Sequence, residues 1–229
     1  MMDDVLAAVL FDMDGTLVDS EKVWDVSLLR LADHLGGDLT AGLRASLVGS
    51  NLPATIAALH TAFDLPADAD QVASARYLID ETSLLFREEI EWRPGAKELL
   101  TELDTAGVPM ALVTSTVRSL TELVLDGIGR HWFGATVCGD EIDHPKPAPD
   151  PYLRAAELLG VDPLHCAAIE DSDTGTTSAV AAGCATLTVP CDAPVPAGPG
   201  RHFAASLTEV DHAYLARLVT ARTAARPAS

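Results

Sequence analysis

Five strand-sized runs constrain this chain most: Leu6 to Phe11, Pro109 to Thr114, Ala135 to Cys138, His165 to Ile169 and Ala185 to Val189. Between the later four, and ahead of the second, lie stretches of helical composition or periodicity: Gly95 to Ala106, Arg118 to Asp126, Asp150 to Leu159 and Ser172 to Ala182. Pro94 sits where a helix's first turn tolerates proline. Strands that alternate with helices pair in parallel through crossovers, so the pattern predicts an α/β fold with a doubly wound parallel sheet.

The alternation breaks once. After Phe11 the next strand candidate lies roughly a hundred residues away, and a structureless loop of that length is implausible in a compact chain. Trp24 to Leu35 and Gln71 to Glu89 carry helical patterns, so the interval reads as an inserted all-helical cap domain spanning residues 19–92, with the core formed by 1–18 and 93–229. Pro190 to Gly200 reads as a surface connection before a final helix near Leu207 to Val219.

At 229 residues the chain has room for one to two domains, and with 48% hydrophobic and 21% charged residues it is neither disordered nor collagen-like. Its formal net charge is −19, which excludes nucleic acid and anionic membranes as bulk partners unless a basic patch is concentrated somewhere. The nearest candidate, Arg217, Arg222 and Arg226, reads as a solvated tail. No run has the apolar length of a membrane span, and Met1-Met2-Asp3-Asp4 lacks the basic start of a signal peptide, so a cytoplasmic location is expected. Cys138, Cys166, Cys184 and Cys191 form no Cys-x-x-Cys pair and read as core residues, and the seven histidines lack zinc spacing.

Four segments at strand ends carry chemistry. The first is Asp12-Met13-Asp14-Gly15-Thr16: residues two apart in extended chain share a face, so Asp12 and Asp14 project together where open α/β sheets bind ligands. Gly15 permits a sharp turn, and Thr16 is able to hydrogen-bond the acids or local backbone. The second, Thr114-Ser115-Thr116, places hydroxyls at a helix start, which suits either capping or an anion. In the third, Lys146 stands between Pro145 and Pro147; it is one of only three lysines in the chain, and the prolines restrict the backbone that presents it. The fourth brings Glu170 and Asp171 to the same rim. Four carboxylates in one cleft cannot all ionise without a compensating cation, and an all-oxygen set with few donors suits Mg²⁺.

Together these segments resemble the haloacid dehalogenase superfamily, of the phosphoglycolate phosphatase and β-phosphoglucomutase type: D-x-D-G-T-L-V-D-S, V-T-S, K-P-x-P-D-P-Y and E-D-S-x-x-G occur in order, each after a predicted strand. The resemblance implies a Rossmann-like core with a helical cap. It also implies Asp12 as the nucleophile forming an aspartyl-phosphate and Asp14 as general acid and then base. By the same resemblance Thr114 and the Ser115 amide would hold the phosphoryl group, and Lys146 would hold both phosphate and Asp12. Asp12, Asp171 and the main-chain carbonyl of Asp14 would bind Mg²⁺, with Glu170 either a ligand or a support for one. Phosphoryl transfer depends on positioning and cationic stabilisation, which such a set supplies.

Departures narrow the reading. Asp14 argues against carbon–halogen cleavage, and the only cap lysine, Lys22, stands outside the position used by phosphonate-cleaving relatives. Where β-phosphoglucomutases carry a histidine and a basic cap loop, this chain has Trp24 and the neutral Val48-Gly49-Ser50-Asn51-Leu52. Hydrolysis of a small phosphorylated metabolite is therefore expected, with a β-phosphoglucomutase-like phosphotransferase as the alternative. From a different class, a phospho-aspartate signalling receiver is disfavoured by motif order, and a binding module without turnover by retention of every motif side chain. Trp24, Gly49, Ser50 and Asn51 are candidates for substrate selection in the cap. The sequence leaves open whether the protein is a monomer or a dimer.

Overall fold

The computed structural model describes residues 6–224, apart from Glu89 and Asp192; Arg226 and the first five residues lie outside the described set. Six strands form one parallel sheet: β1 (Ala8–Phe11), β2 (Met110–Val113), β3 (Ala135–Val137), β4 (Cys166–Glu170), β5 (Ala185–Thr188) and β6 (Arg201–Phe203). Their order is β3-β2-β1-β4-β5-β6, a doubly wound arrangement in which the chain's path reverses between β1 and β4.

Side-chain alternation divides the core into two layers. Val9 and Phe11 of β1, Met110 and Leu112 of β2, and Ala167 and Ile169 of β4 face one layer. It is completed by α5 (Ala96–Thr105), α6 (Arg118–Ile128) and α9 (His212–Ala224). Ala8, Leu10, Ala111, Val113, Cys166 and Ala168 face the other, against α7 (Asp150–Leu159) and α8 (Asp173–Ala182). Both faces are covered, which is why these strands read as continuous apolar runs rather than alternating ones. Cys138, Cys166 and Cys184 are buried free thiols.

Four helices are inserted between β1 and α5: α1 (Glu21–Leu35), α2 (Ala41–Ser46), α3 (Leu52–Ala62) and α4 (Gln71–Phe86). They enclose their own apolar cluster, with Leu31, Leu59 and Leu78 at its centre. Truncating one of these leucines to alanine would cost about 2–5 kcal/mol. The chain leaves and re-enters the core through a paired stem: Val18 bridges Trp92 antiparallel, the Asp19 amide donates to the Glu91 carbonyl at 2.8 Å, and the Arg93 amide to the Leu17 carbonyl at 2.8 Å. The architecture is thus the expected parallel α/β sheet with an inserted helical cap.

Three local expectations differ. β6 was not among the predicted strands; it is a three-residue edge strand whose side chains are largely exposed, so it carries no apolar signal. The final helix is not continuous from Leu207: a 3₁₀ turn, Leu207–Glu209, precedes α9, which runs to Ala224. Gln71 to Glu89 ends as helix at Phe86, with Glu89 outside the described residues. No helix among the described residues is long and apolar enough to cross a membrane.

Candidate active site

Every motif side chain lies at the carboxyl ends of the strands. Asp12 and Asp14 follow β1, Thr114 follows β2, Lys146 stands beyond β3, and Glu170 and Asp171 close β4. The reversal between β1 and β4 opens a crevice there because the connections on either side run away from each other.

Lys146 is the hub. Its ammonium donates to Asp12 Oδ1 at 2.7 Å, to Glu170 Oε1 at 2.6 Å and to the Val113 carbonyl at 2.8 Å, and all three of its protons are committed. The Tyr152 hydroxyl donates to the same Glu170 oxygen at 2.5 Å, its ring lies 5.3 Å from the Lys146 nitrogen, and Ser172 donates to Glu170 Oε2 at 3.2 Å. The Lys146–Pro147 peptide is cis.

Burial, helped by the neighbouring charges of Glu170 and Asp14 and opposed by Lys146, pushes the metal-free Asp12 carboxyl up to about 8. Burial together with Asp12 and Glu170 holds Asp171 well above the ordinary carboxylate range. Burial disfavours the Lys146 ammonium, yet Asp12 and Glu170 outweigh it and hold its pKa above the usual lysine value.

A divalent metal fits this arrangement. Asp12, Glu170 and Asp171, all buried, each offer an oxygen within 4.8 Å of the others, close to the roughly 3–4 Å between oxygens around an octahedral ion with ~2.1 Å bonds. Three carboxylates against one ammonium leave a formal charge of −2, which a dication would balance. Two glycines make the space. A Cβ on Gly15, at φ +75°, would lie 2.2 Å from Asp171 Oδ2, and one on Gly175 would lie 2.0 Å from the Glu170 carboxylate oxygens.

Asp14 is held apart from that cluster, its side chain outside the three-acid set. Ser20 donates to its Oδ1 at 2.7 Å and the Trp24 indole at 2.9 Å, while Thr116 donates to Oδ2 at 2.8 Å and Thr114 at 3.3 Å. Four donors fix a carboxylate two residues from Asp12, one of them reaching across from α1 of the cap. Thr16 behaves otherwise than expected: its buried hydroxyl finds no hydrogen-bond partner among the described residues.

The model of the haloacid dehalogenase-like hydrolases matches residues 6–183, most of the chain and all four motifs. The chain belongs to this family. A fructose-1-phosphate phosphatase of Escherichia coli, YqaB, is 32% identical over 178 residues, covering 77% of this chain and 93% of its own. Hexitol phosphatase B of Escherichia coli is 32% identical over 198 residues, covering 81% and 84%. Among solved structures, CbbY of Rhodobacter sphaeroides in complex with phosphate superposes with a TM-score of 0.83 at 28% identity, covering 92% of this chain and 99% of CbbY. A variant of CbbY has been solved with xylulose-1,5-bisphosphate, with a TM-score of 0.82 at 26% identity and the same coverage.

In this haloacid dehalogenase-like chain the cavity over the strand ends is walled below by Asp12, Asp14, Thr114, Ser115, Lys146 and Asp171. The cap supplies the roof, where Trp24, Gly49 and Ser50 line the space. Asn51 does not line it: its side chain accepts from the Ala54 amide at 3.0 Å and caps α3. The sequence Asn51-Leu52-Pro53, a cap residue followed by proline in the first turn, is the signal for that role. Gly49, at φ +70°, brings the cap loop down onto Ser172, and a Cβ there would lie 3.1 Å from its side chain.

Sequence reasoning missed several participants. Thr116, Tyr152, Ser20 and Ser172 belong to the quoted motif segments; Thr116 and Tyr152 find Asp14 and Glu170 at 102 and 18 residues' separation, whereas Ser20 and Ser172 bond acids six and two residues away. Arg44 of α2 also lines the cavity, bonded to Glu21 and Asp25 of α1; the cap loop was expected to be neutral, and no local pattern points to an arginine one helix earlier.

Proposed function

We propose that this haloacid dehalogenase-like phosphatase hydrolyses a small phosphorylated sugar or polyol, with Mg²⁺ and through an aspartyl-phosphate on Asp12. The chain is a phosphoric monoester hydrolase, as its curated relatives are named. The observation that carries the reading is Lys146 bridging Asp12 and Glu170 beside the three-acid cluster, with Asp14 two residues away and directed elsewhere.

In this reading an Asp12 oxygen attacks phosphorus while Asp14 gives a proton to the departing alcohol oxygen. Asp14 then takes a proton from the water that attacks the aspartyl-phosphate, releasing phosphate and restoring Asp12. Thr114, the Ser115 amide and Lys146 hold the phosphoryl oxygens. Asp12, Asp171 and the Asp14 carbonyl would hold the metal, which when bound supplies positive charge against the phosphoryl group and the carboxylates. Glu170, whose oxygens already accept from Lys146, Tyr152 and Ser172, orients Lys146 and contributes charge to the site. Residues 19–92 act as the cap, and Trp24, Gly49 and Ser50 meet the leaving group.

The test is a phosphate-release screen over sugar phosphates, polyol phosphates, phosphoglycolate and nucleotides, run with wild type and Asp12→Asn. Turnover of a sugar or polyol phosphate is expected, abolished by Asp12→Asn and by EDTA and restored by Mg²⁺. Activity surviving either treatment overturns the reading.

A further inference from the structure

The cap contributes two charged side chains to the described cavity wall, Glu21 and Arg44. They are not independent. The Arg44 guanidinium donates through Nη2 to Glu21 Oε2 and through Nε to Asp25 Oδ1, a pair of acids one helical turn apart on α1. The Arg44 and Glu21 side chains are only 17% and 12% exposed, so water screens this contact poorly, whereas Asp25 is 48% exposed and holds Arg44 from the solvent side.

The trio's formal charge is −1, since one guanidinium faces two carboxylates. Elsewhere the roof is mostly apolar, with Leu28, Leu47, Val48, Leu78 and Ile79 beside Trp24. The hydroxyls of Ser50 and Thr55 are bonded to each other at 2.5 Å. A second phosphate or a carboxylate reaching the roof would have to draw Arg44 from two acids that already hold it. It would also sit beside the Glu21 carboxylate, which lines the same poorly solvated wall. A neutral hydroxyl meets no such penalty, because it both donates and accepts and can share an Arg–Glu edge without displacing either charge.

We infer that Arg44, clamped between Glu21 and Asp25, selects for substrates with a single phosphate on an uncharged leaving group and against any substrate bearing a second anion. The inference rests on the phosphatase reading and adds the determinant of its substrate class. Glu21 and Asp25 act here as positioning residues, through the charge they impose on Arg44.

The experiment compares kcat/KM for pairs that share a carbon skeleton, fructose 1-phosphate against fructose 1,6-bisphosphate and xylulose 5-phosphate against xylulose 1,5-bisphosphate. Para-nitrophenyl phosphate serves as a skeleton-independent substrate. Wild type should favour the monophosphate by about tenfold or more. In the double variant Glu21→Gln/Asp25→Asn, Arg44 keeps its charge without compensation. The bisphosphate-to-monophosphate ratio should then rise by about tenfold or more, through a lower bisphosphate KM rather than a changed kcat. Should the double variant fail to fold by circular dichroism, Glu21→Gln alone is read in the same way, and the wild-type ratio stands without any variant. A wild-type ratio near one, or a ratio unmoved in a folded variant, overturns this inference while para-nitrophenyl phosphate turnover upholds the phosphatase reading. Loss of para-nitrophenyl phosphate turnover in wild type would instead remove that reading itself.

Discussion

Replacing Gly15 by alanine tests whether the backbone turn after β1 exists to admit Asp171. Two costs can be separated. The first is conformational: at φ +75° an L-residue pays about 1–2 kcal/mol, partly offset by the ~0.5–1 kcal/mol that a Gly-to-Ala change returns by restricting the unfolded chain. The net loss of about 1 kcal/mol corresponds to a Tm lowered by ~2–4 °C for a chain of this size. The second cost is local. The new Cβ would lie 2.2 Å from Asp171 Oδ2, at least 0.8 Å short of the 3.0 Å that real Cβ atoms keep, so the carboxylate must move. A displacement approaching 1 Å in a reacting constellation costs about 10²-fold in rate. Gly15→Ala should therefore need far more Mg²⁺ for half-maximal turnover and lose on the order of a hundredfold in kcat, with a small fall in Tm. Gly160→Ala is the control: its φ is +71° and a Cβ there meets nothing within 4 Å, so it carries the backbone cost alone. Magnesium titrations of phosphate release, with thermal unfolding of both variants, decide the matter. Equal destabilisation of the two with wild-type Mg²⁺ dependence in Gly15→Ala would refute the assignment of Asp171 to the metal.

Lys146→Met keeps the aliphatic stem but leaves Asp12 and Glu170 buried without their shared cation. The metal-free variant should lose about 3–5 kcal/mol of stability by denaturant unfolding, and its rate should fall by about 10²–10³. A variant as stable and active as wild type would make Lys146 a mere loop residue. Proton linkage gives a pH prediction. Asp12 ordinarily titrates at 3.8 and is pushed up to about 8 in the folded, metal-free chain, so between these values the folded state holds a proton that the unfolded state has released. Stability of the metal-free protein should accordingly fall as pH rises from about 4 to about 8. Because metal binding displaces that proton, Mg²⁺ should raise Tm more at pH 8 than at pH 5. Scanning calorimetry showing equal metal stabilisation at both pH values would count against this.

The readable parts of the site were those set by local geometry. Asp12 and Asp14 both reach the cavity from the end of a buried strand, although Asp14 is turned toward its own set of donors, and Gly15 permits the turn that follows. The reading of Lys146 as partner to an acid 134 residues away came from the order of four motifs and from resemblance, not from spacing. β6 escaped notice because an exposed three-residue edge strand needs only backbone pairing. Asn51, a candidate for substrate selection, caps α3 and does not line the cavity, a role that its cap-and-proline context made legible. Thr16 was expected to hydrogen-bond and instead has a buried hydroxyl unpaired among the described residues, a matter that depends on the neighbours packed around it.

By itself the sequence determined the parallel sheet, the helical insertion and the rim on which the acids gather, because apolar periodicity and strand-end placement are encoded over a few consecutive residues. The tertiary structure alone decided how those acids are used. Lys146 is shared between Asp12 and Glu170, Asp14 is drawn off by donors from both the core and Trp24 of the cap, and the cap's arginine arrives at the cavity already paired with two acids. Such choices turn on distances between side chains brought together from separate elements, and electrostatic strength depends on that distance and on the burial around it.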